Sequence, residues 1–189
     1  YNTDDLTRRV NIQGNVFADI TFTSWLRYRF NLGVNYSNVK KQKWLGSEST
    51  INRKGNPATA TAENKSEDRK NYLVENILFF NKDVGIHSFG ATFVQSAQKS
   101  MYEDLSANAN KIYYDTAKWW DLAANLDGKP SGYGSSFSEN SLMSFMGRIN
   151  YGLMNRYLLN LALRYDGASV LAPGNKWDYF PSAAVAWKV

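Results

Sequence analysis

The chain has 189 residues, of which 43% are hydrophobic and 21% charged, a composition that excludes intrinsic disorder. Its net charge of +5 comes from Lys and Arg scattered along the chain, so no basic surface for nucleic acid is predicted. The absence of cysteine excludes disulfide scaffolds and cysteine-ligated metal sites. No apolar run approaches the roughly 18 residues of a membrane-spanning helix, but a mean hydropathy of −0.48 does not exclude membrane strands, in which apolar and polar residues alternate.

A length of 189 residues is enough for one domain of ordinary size. The chain begins at Tyr1, without an initiator Met and without the charged and apolar segments of a signal peptide. We therefore expect residues 1–189 to be one partial domain from the interior of a longer protein.

Alternation with a period of two residues predicts the first two strands. Apolar residues occupy the even positions of residues 10–22, polar residues occupy most of the odd ones, and Thr23 and Ser24 interrupt the run. Residues 26–36 resume the alternation with the apolar residues again on even positions. No helical period fits either segment, so the two predict a long hairpin with one apolar and one polar face.

The rest of the chain continues this alternation between polar connections. A third to a seventh strand are predicted at residues 69–81, 86–101, 141–152, 156–166 and 177–189. Short turns are predicted at residues 82–85 and 154–155, and loops at residues 39–68, 102–140 and 167–176. The first of these loops contains Gly55 and Pro57, and the second is expected to contain a helical turn near residues 111–126.

The connections between strands one and six alternate strictly between short and long. Structureless loops as long as residues 39–68 and 102–140 would count against the strand assignments in a compact soluble domain. In an outer-membrane barrel they are expected, because periplasmic turns are short and extracellular loops are long. The pattern therefore favours an antiparallel transmembrane β-barrel segment.

Aromatic residues make up 15% of the chain, and they fall near the two ends of the predicted strands. Two such bands with aliphatic residues between them are typical of the girdles at the two lipid interfaces. The alternative is a β-sandwich with an aromatic core, although sandwich strands are usually only about 5–6 residues long. The short-turn ends carry Phe22, Trp25, Phe79, Phe80, Tyr151, Tyr157 and Trp187, and the long-loop ends carry Tyr36, Trp44, Tyr72, Tyr102, Tyr165, Trp177 and Tyr179.

Seven strands do not close neatly into an antiparallel barrel, because an odd number leaves the two edge strands running in the same direction. An open sheet would also expose unpaired backbone N–H and C=O groups to lipid. The predicted strands must therefore be part of a larger wall, completed by further chain or by other chains.

Four motifs in the last fifty residues carry a family resemblance. They read FMGRINY at residues 145–151, RYLL at 156–159, RYDGAS at 164–169, and WDYFPS at 177–182 followed by Ala186-Trp187. In this order they resemble the FGRINY, RYLL, RxDGSSRF and WGYFPS…AW strands of SusC/RagA-type TonB-dependent transporters of Bacteroidota. Upstream, ENIL at residues 75–78 resembles the family's ENTL strand. The chain departs from the pattern at Ala168, where the family has Ser, and at Val170-Leu171, where it has Arg-Phe.

The resemblance implies a central part of a plugged barrel of about 22 strands in the outer membrane of a Gram-negative bacterium. It implies uptake of glycans or oligopeptides, with the lipid bilayer, the rest of the barrel and the plug as neighbours. A SusD-like surface lipoprotein would be the lid, and the TonB complex would act through the plug. The plug, the carboxypeptidase-like extension and the TonB box have no counterpart in these residues.

The motif residues are expected to have structural roles. Asp166-Gly167 at the end of a strand is typical of a turn, because Gly tolerates positive φ. Arg164 and Asp166 share one parity and are expected to form ion pairs on the lumen side with neighbouring strands or with the plug. Pro181 lies near a strand start, where its missing N–H is tolerated. The full set is Arg148, Tyr151, Arg164, Asp166, Gly167, Phe180, Pro181, Ser182 and Trp187.

No catalytic arrangement is predicted. The single histidine, His87, lies beside a turn, and Gly132-Tyr133-Gly134 lacks the strand-to-helix context of a phosphate loop. We therefore predict no enzyme activity and no cofactor. Acidic residues of the long loops are ligands that Ca²⁺ accepts, although no loop has EF-hand spacing.

Candidate contact residues lie in the second long loop. Its rings are flanked by acidic and amide side chains, so they would stack on a sugar or hold the lid. The alternative is that they pack the loop against its neighbours. The candidates are Tyr113, Tyr114, Trp119 and Trp120.

Two other functions remain open at this point, a soluble all-β carbohydrate-binding module and a passive outer-membrane porin. The module would enclose Leu159, Leu161 and Leu163 in a core, whereas a barrel segment would leave them facing outward.

Overall fold

The computed structural model describes residues 2–54 and 58–188. It contains seven strands, numbered in chain order, and a short 3-10 helix at Asn52–Lys54. Gly55 and Pro57 of the first predicted loop, and Val189 of the seventh predicted strand, lie outside the described residues. The strands are β1 (Thr3–Thr23), β2 (Leu26–Leu45), β3 (Ala60–Val84), β4 (His87–Ile112), β5 (Gly132–Leu153), β6 (Tyr157–Ala168) and β7 (Trp177–Trp187).

The seven strands form one sheet, in which each strand pairs with its neighbours in sequence. The short turns account for the pairs β1–β2, β3–β4 and β5–β6, because a connection of two or three residues can only join adjacent antiparallel strands. The predicted all-β antiparallel segment is therefore confirmed. Among the described residues, no helix is long and apolar enough to cross a membrane.

The registers of the last two hairpins show how the sequence motifs align. Gly147 of β5 lies opposite Leu163 of β6, and Leu163 lies opposite Pro181 of β7. Two residues along, Ile149 lies opposite Leu161. Because residues directly opposite each other in a ladder share a face, the apolar residues of these three strands form one continuous surface.

Strands β1 to β5 are all longer than the sequence predicted, and the extensions of β2 to β5 show that the predicted loops were too long. β2 continues to Leu45 and β3 begins at Ala60, and β4 continues to Ile112 while β5 begins at Gly132. These extensions carry polar residues on both faces for much of their length, so no period-two alternation of apolar residues marks them. Backbone pairing and cross-strand polar contacts hold them instead.

The connection between β4 and β5 lacks the expected helical turn. Its first half is a series of turns, in which Ala117 N–H donates to Tyr114 O and Trp120 N–H donates to Ala117 O. Lys118 between them has a φ of 43°, a left-handed conformation that a helix cannot contain.

The turns themselves lie close to their predicted positions. The β3–β4 turn is at Gly85 and Ile86, slightly beyond the predicted residues 82–85, and Gly85 has a φ of 60°. At the β5–β6 turn both Met154 and Asn155 have a φ of 53°, as a type I′ hairpin turn requires.

The chain divides into two compact units, and strands β1 to β5 contribute to both. Unit 1 comprises Tyr1–Ile12, Tyr36–Lys70 and Met101–Ser138, and unit 2 comprises Gln13–Asn35, Asn71–Ser100 and Glu139–Val189. Each unit is described by itself below.

Candidate functional site

One face of unit 2 is apolar and uncovered. Leu161, Leu163 and Val185 are 43%, 52% and 82% exposed, and Leu159 is half-buried. A soluble domain would not leave such a continuous apolar surface in water. The β-sandwich alternative required the leucines to be enclosed in a core, and it is therefore wrong. This surface is called the apolar face below.

Aromatic rings border the apolar face at its short-turn end. Trp25 and Phe80 meet edge to face with their centroids 5.5 Å apart. His87 stacks beside Tyr151 and shares a hydrogen bond of 2.7 Å between its Nδ1 and the tyrosine hydroxyl. The ring centroids of Phe89 and Tyr151 are 5.3 Å apart. The single histidine is thus one ring in a band of rings.

A second group of rings borders the apolar face at its long-loop end. Trp177 stacks on Tyr165 with centroids 4.7 Å apart and on Phe145 at 6.3 Å. Rings that join a polar edge to an apolar body are typical of the interface between hydrocarbon and headgroups.

The spacing of the two ring bands matches a bilayer. Trp187 pairs with Tyr157 at one band and Trp177 pairs with Gly167 at the other. The ten steps along the chain from Trp177 to Trp187 span about 33 Å at about 3.3 Å per residue. A strand tilt of about 40° reduces this to about 25 Å, the height of the apolar band of outer-membrane barrels.

Three polar residues share the apolar face and are linked to one another by hydrogen bonds. The Tyr28 hydroxyl donates to Asn76 Oδ1 at 2.5 Å, and Asn76 Nδ2 donates to Gln95 Oε1 at 2.6 Å. An unpaired polar group in hydrocarbon costs several kcal/mol. This chain of hydrogen bonds is therefore what makes an amide pair tolerable on this face.

The opposite face of unit 2 is polar and carries ion pairs. Arg29 holds Asp19 by two hydrogen bonds of 2.9 and 2.7 Å. Arg164 Nε donates to Asp166 Oδ1 at 2.7 Å, and its Nη2 reaches the Ser144 hydroxyl at 3.4 Å. Arg164 and Asp166 therefore pair with each other within β6, whereas the sequence predicted ion pairs with neighbouring strands or with the plug.

Gly167 has a different role from the predicted one. It lies inside β6 and is not among the glycines with positive φ, so it does not form a turn. A Cβ on Gly167 would lie 2.5 Å from the ring of Trp177. The glycine is required because the indole packs directly on its backbone, and this close approach joins two of the family motifs. The sequence shows that Gly167 and Trp177 belong to one hairpin, but only the strand register places them opposite each other.

The remaining motif residues alternate between the faces of β5 and β7. Pro181 and Trp187 share the parity of Val185 on the apolar face, whereas Phe180 and Ser182 lie on the other parity, opposite Arg164 and Ala162. Tyr151 belongs to the ring band, and Arg148 lies opposite Ala162 in β6.

Unit 1 contains its own small hydrophobic core, called here the Trp44 cluster. Trp44 is 4% exposed and Trp119 is 8% exposed. They pack with small residues of the neighbouring strands, which leave room for the two indoles. The cluster consists of Trp44, Ala60, Ala62, Ala109, Ile112 and Trp119.

The Trp44 cluster corrects two predictions. Trp44 was expected in a ring band near a long-loop end, but it is a core residue of unit 1. Trp119 was expected to contact a ligand or lid, but its ring is buried against the strands. The alternating alanines Ala60 and Ala62 indicate a strand that leaves room for a large ring. Because the sequence analysis assigned residues 39–68 to a loop, it did not predict this packing.

The other candidate contact residues are exposed. Tyr113, Tyr114 and Trp120 are 63%, 68% and 72% exposed, and the two tyrosine rings meet edge to face at 5.7 Å. The loop that carries them is tied down by Asp115, which accepts hydrogen bonds from Asn2 and Ser47. The same loop is also held by an ion pair between Lys118 and Asp4.

An ion cluster lies on the strands of unit 1. The buried carboxylate of Glu67 lies 3.1 Å from Lys41 Nζ, 3.0 Å from Lys65 Nζ and 3.8 Å from Arg69. Hydrogen bonds from Lys65 and Lys41 hold the pKa of Glu67 below its ordinary value of 4.5. The guanidinium of Arg69 also covers the ring of Tyr102, with its Cζ 5.1 Å from the ring centroid.

The described residues contain no group of three His, Asp or Glu side chains that could hold a metal ion. We therefore assign no residue to the Ca²⁺ that the acidic loops suggested.

No protein-family model matches the chain, but curated relatives do. It is 29% identical over 193 residues to the TonB-dependent receptor P26 of Formosa agariphila, an alignment that covers 100% of this chain and 19% of the relative. It is 46% identical over 52 residues to the TonB-dependent receptor SusC of Bacteroides thetaiotaomicron, covering 28% of this chain and 5% of the relative. The chain thus spans about a fifth of the length of the first relative.

The fold has a close counterpart among solved structures. The RagAB peptide transporter matches with a TM-score of 0.87 at 16% identity, covering 97% of this chain and 20% of that one. At this identity the match shows the fold alone. Together with the curated relatives, it confirms the resemblance seen in the motifs: in sequence and in fold, the chain is similar to a segment of the barrel of SusC-type TonB-dependent receptors.

Proposed function

We propose that the chain forms part of the wall of an outer-membrane importer that takes up glycans or oligopeptides in a TonB-dependent way. The observation that supports this most strongly is the apolar face bounded by two ring bands, whose spacing suits a bilayer. A wall of this kind separates lipid on one face from a polar passage on the other. The passive porin alternative is disfavoured, because the relatives are named as TonB-dependent receptors.

The role is passage and not catalysis. The relatives are named as receptors and the solved counterpart as a transporter. His87, the single histidine of the sequence, is engaged with Tyr151 in a ring band. The polar face offers paired charges and amides, which bind hydroxyl-rich or amide-rich polymers by hydrogen bonds.

Uptake by the source bacterium tests this proposal. A strain that lacks the gene should lose growth on one polymeric nutrient, a glycan or a peptide mixture, and should keep growth on the monomer. The same strain should also accumulate less of that polymer, supplied with a fluorescent label, in intact cells. A deletion strain that grows and accumulates every tested polymer at the wild-type rate would contradict an import function.

We further propose that Tyr113, Tyr114 and Trp120 contact a SusD-like lipoprotein lid. Exposed rings on a loop that is held by an ion pair and by hydrogen bonds supply contact area at low cost in conformational entropy. Replacing all three by Ala should reduce the amount of the SusD-like lipoprotein that co-purifies with the full protein. Leu126→Ala is the matched control, because Leu126 is 57% exposed in the same loop. If the triple variant and the control co-purify equal amounts of the lipoprotein, the loop does not contact the lid.

A further inference from the structure

An exposed aromatic ring lies on the polar face of unit 2. Phe17 of β1 is 65% exposed. It shares its parity with Asn15 and Asp19, whereas Val16 and Ile20 have the other parity. Residues two apart in a strand lie on the same face of the sheet. The ring is therefore on the side away from lipid, and contact with hydrocarbon does not account for it.

A planar ion pair lies beside the Phe17 ring. Arg29 Nε donates to Asp19 Oδ1 at 2.9 Å, and Arg29 Nη2 donates to Asp19 Oδ2 at 2.7 Å. The guanidinium Cζ of Arg29 lies 5.4 Å from the centroid of the Phe17 ring. The two charged side chains stay accessible, at 35% for Arg29 and 31% for Asp19. Phe17, Asp19 and Arg29 thus form one accessible surface, called the Phe17 patch below.

The ion pair of the Phe17 patch keeps hydrogen-bonding groups free. A guanidinium has five N–H donors and a carboxylate has about four acceptor sites, of which the pair uses two each. The bidentate contact fixes the remaining donors and acceptors in one plane, and the pair has no net charge. Donors and acceptors side by side suit two neighbouring hydroxyls, because each hydroxyl both donates and accepts.

A second ring on the polar face is already covered. The Cζ of Arg27 lies 4.4 Å from the centroid of Phe79, and Phe79 is half-buried. Phe17 is more exposed, and its guanidinium is farther away and is held by Asp19. Of these two rings, Phe17 is therefore the one that is open to a ligand.

Completion of the wall would leave the Phe17 patch open. β1 is the first strand of the sheet. A further strand beside it would lie in the plane of the sheet, at about 4.8 Å, whereas side chains stand out from that plane. Such a strand would flank the ring and would not cover it from above.

We propose that the Phe17 patch is a subsite for a neutral glycan. The phenyl ring stacks on the apolar C–H face of one sugar residue, and the pair of Asp19 and Arg29 hydrogen-bonds two neighbouring hydroxyls of its rim. The proposal rests on the import function proposed above and narrows its nutrient from glycans or oligopeptides to glycans. A sugar residue combines an apolar face with a rim of hydroxyls, as the patch requires. The charged ends of an oligopeptide would be matched by a net charge, which the patch lacks.

Isothermal titration calorimetry of the full protein in detergent tests the subsite. The probes are cellohexaose, laminarihexaose, maltohexaose, mannohexaose and xylohexaose, with a tryptic digest of casein as the peptide probe. The wild type should bind at least one hexasaccharide and should not bind the digest. Phe17→Leu keeps the apolar bulk but removes the ring, so it should weaken binding about tenfold, as the loss of a central aromatic contact does. Arg29→Lys keeps the charge but loses the bidentate plane, so it should also weaken binding.

Matched variants separate stacking from a structural role. Phe17→Trp restores a stacking surface and should bind like the wild type, whereas a merely structural role would be met by leucine as well. Phe22→Leu makes the same change in the same strand on the apolar parity, at a residue that is 59% exposed, and should not affect binding. Because Phe17 is exposed, its variants keep the test valid even where Arg29→Lys does not fold.

Three results would overturn the proposal. The first is wild-type affinity in Phe17→Leu, and the second is an equal loss of affinity in Phe22→Leu. The third is a wild type that binds none of the hexasaccharides, whether or not it binds the casein peptides.

The growth assay of the deletion strain keeps this subsite distinct from the import function. A strain that loses growth only on a peptide mixture would support import and refute the glycan subsite. A strain without any uptake defect would contradict import even where the purified protein binds a hexasaccharide through Phe17.

Discussion

Units 1 and 2 share strands β1 to β5 but use their apolar side chains in opposite ways. In unit 2, Leu163 and Val185 are exposed, and the ring bands mark the limits of the apolar face. In unit 1, Trp44 and Ile112 are buried under a folded loop. Apolar side chains in water must be buried in a protein core, as in unit 1, whereas hydrocarbon can cover them without one, as on the apolar face of unit 2.

The largest expected effect comes from placing a charge on the apolar face. Leu161→Lys should prevent assembly in the membrane, because a lysine at mid-bilayer depth costs about 2–4 kcal/mol. Asn160→Lys, on the adjacent residue and the other face, should assemble normally. The fraction of protein in the outer membrane and its heat-modifiable migration on a gel measure both. Equal assembly of the two variants would mean that the face does not meet lipid.

The Trp44 cluster should respond to shape more than to hydrogen bonding. Trp119→Ala should lose about 3–5 kcal/mol of local stability, as large-to-small core changes do. Trp119→Phe should lose much less, because the Nε1 atoms of Trp119 and Trp44 are buried without a hydrogen-bond partner and removing an unpaired donor is cheap.

Hydrogen exchange of the amides of residues 113–131 measures this loss. Trp120→Ala, at a residue that is 72% exposed, should leave the exchange unchanged. If the amides exchange as fast in Trp119→Phe as in Trp119→Ala, the indole N–H itself must contribute to stability.

The ion cluster of unit 1 should contribute less, and only above acid pH. Because the pKa of Glu67 is lowered in the folded state by Lys65 and Lys41, its contribution is complete above its ordinary value of 4.5. It is lost as pH falls through the lower folded value. Glu67→Gln should therefore cost on the order of 1 kcal/mol at pH 7 and progressively less in acid.

Amide exchange of β2 and β3, compared between wild type and variant at each pH, measures the cost of losing this carboxylate. Glu63→Gln, at an exposed residue of the same strand, is the control and should have no effect. A deficit of the Glu67 variant that grows toward acid pH would reverse the sign and refute the role of its ion pairs.

The smallest effect is expected at the β5–β6 turn. Met154 has a φ of 53°, which a side chain such as methionine adopts at a cost of about 1 kcal/mol. Met154→Asn should stabilise the barrel by a few tenths of a kcal/mol, and Asn155→Ala should destabilise it, in urea titrations of the protein in vesicles. Shifts of the same sign in both variants would show that turn conformation does not limit stability.

The strands of unit 2 were predictable because one face must be apolar and the other polar, which imposes a period of two on the sequence. The same rule failed for residues 39–45 and 60–68, where both faces carry polar side chains and no alternation is required. Among the candidate contacts, Trp119 and Trp120 are adjacent and identical in type. Only their packing separates a core residue from an exposed one.

The sequence by itself determined the pairing within the three short-turn hairpins and the apolar face, because a short turn forces the two strands that it joins to pair and each side chain's parity sets its face. The length of the strand extensions, the packing of Trp177 on Gly167 and the burial of Trp119 were decided by the tertiary structure alone. Each of these depends on residues distant in sequence that meet only when the sheet has its final register, and local periodicity carries no information about such contacts.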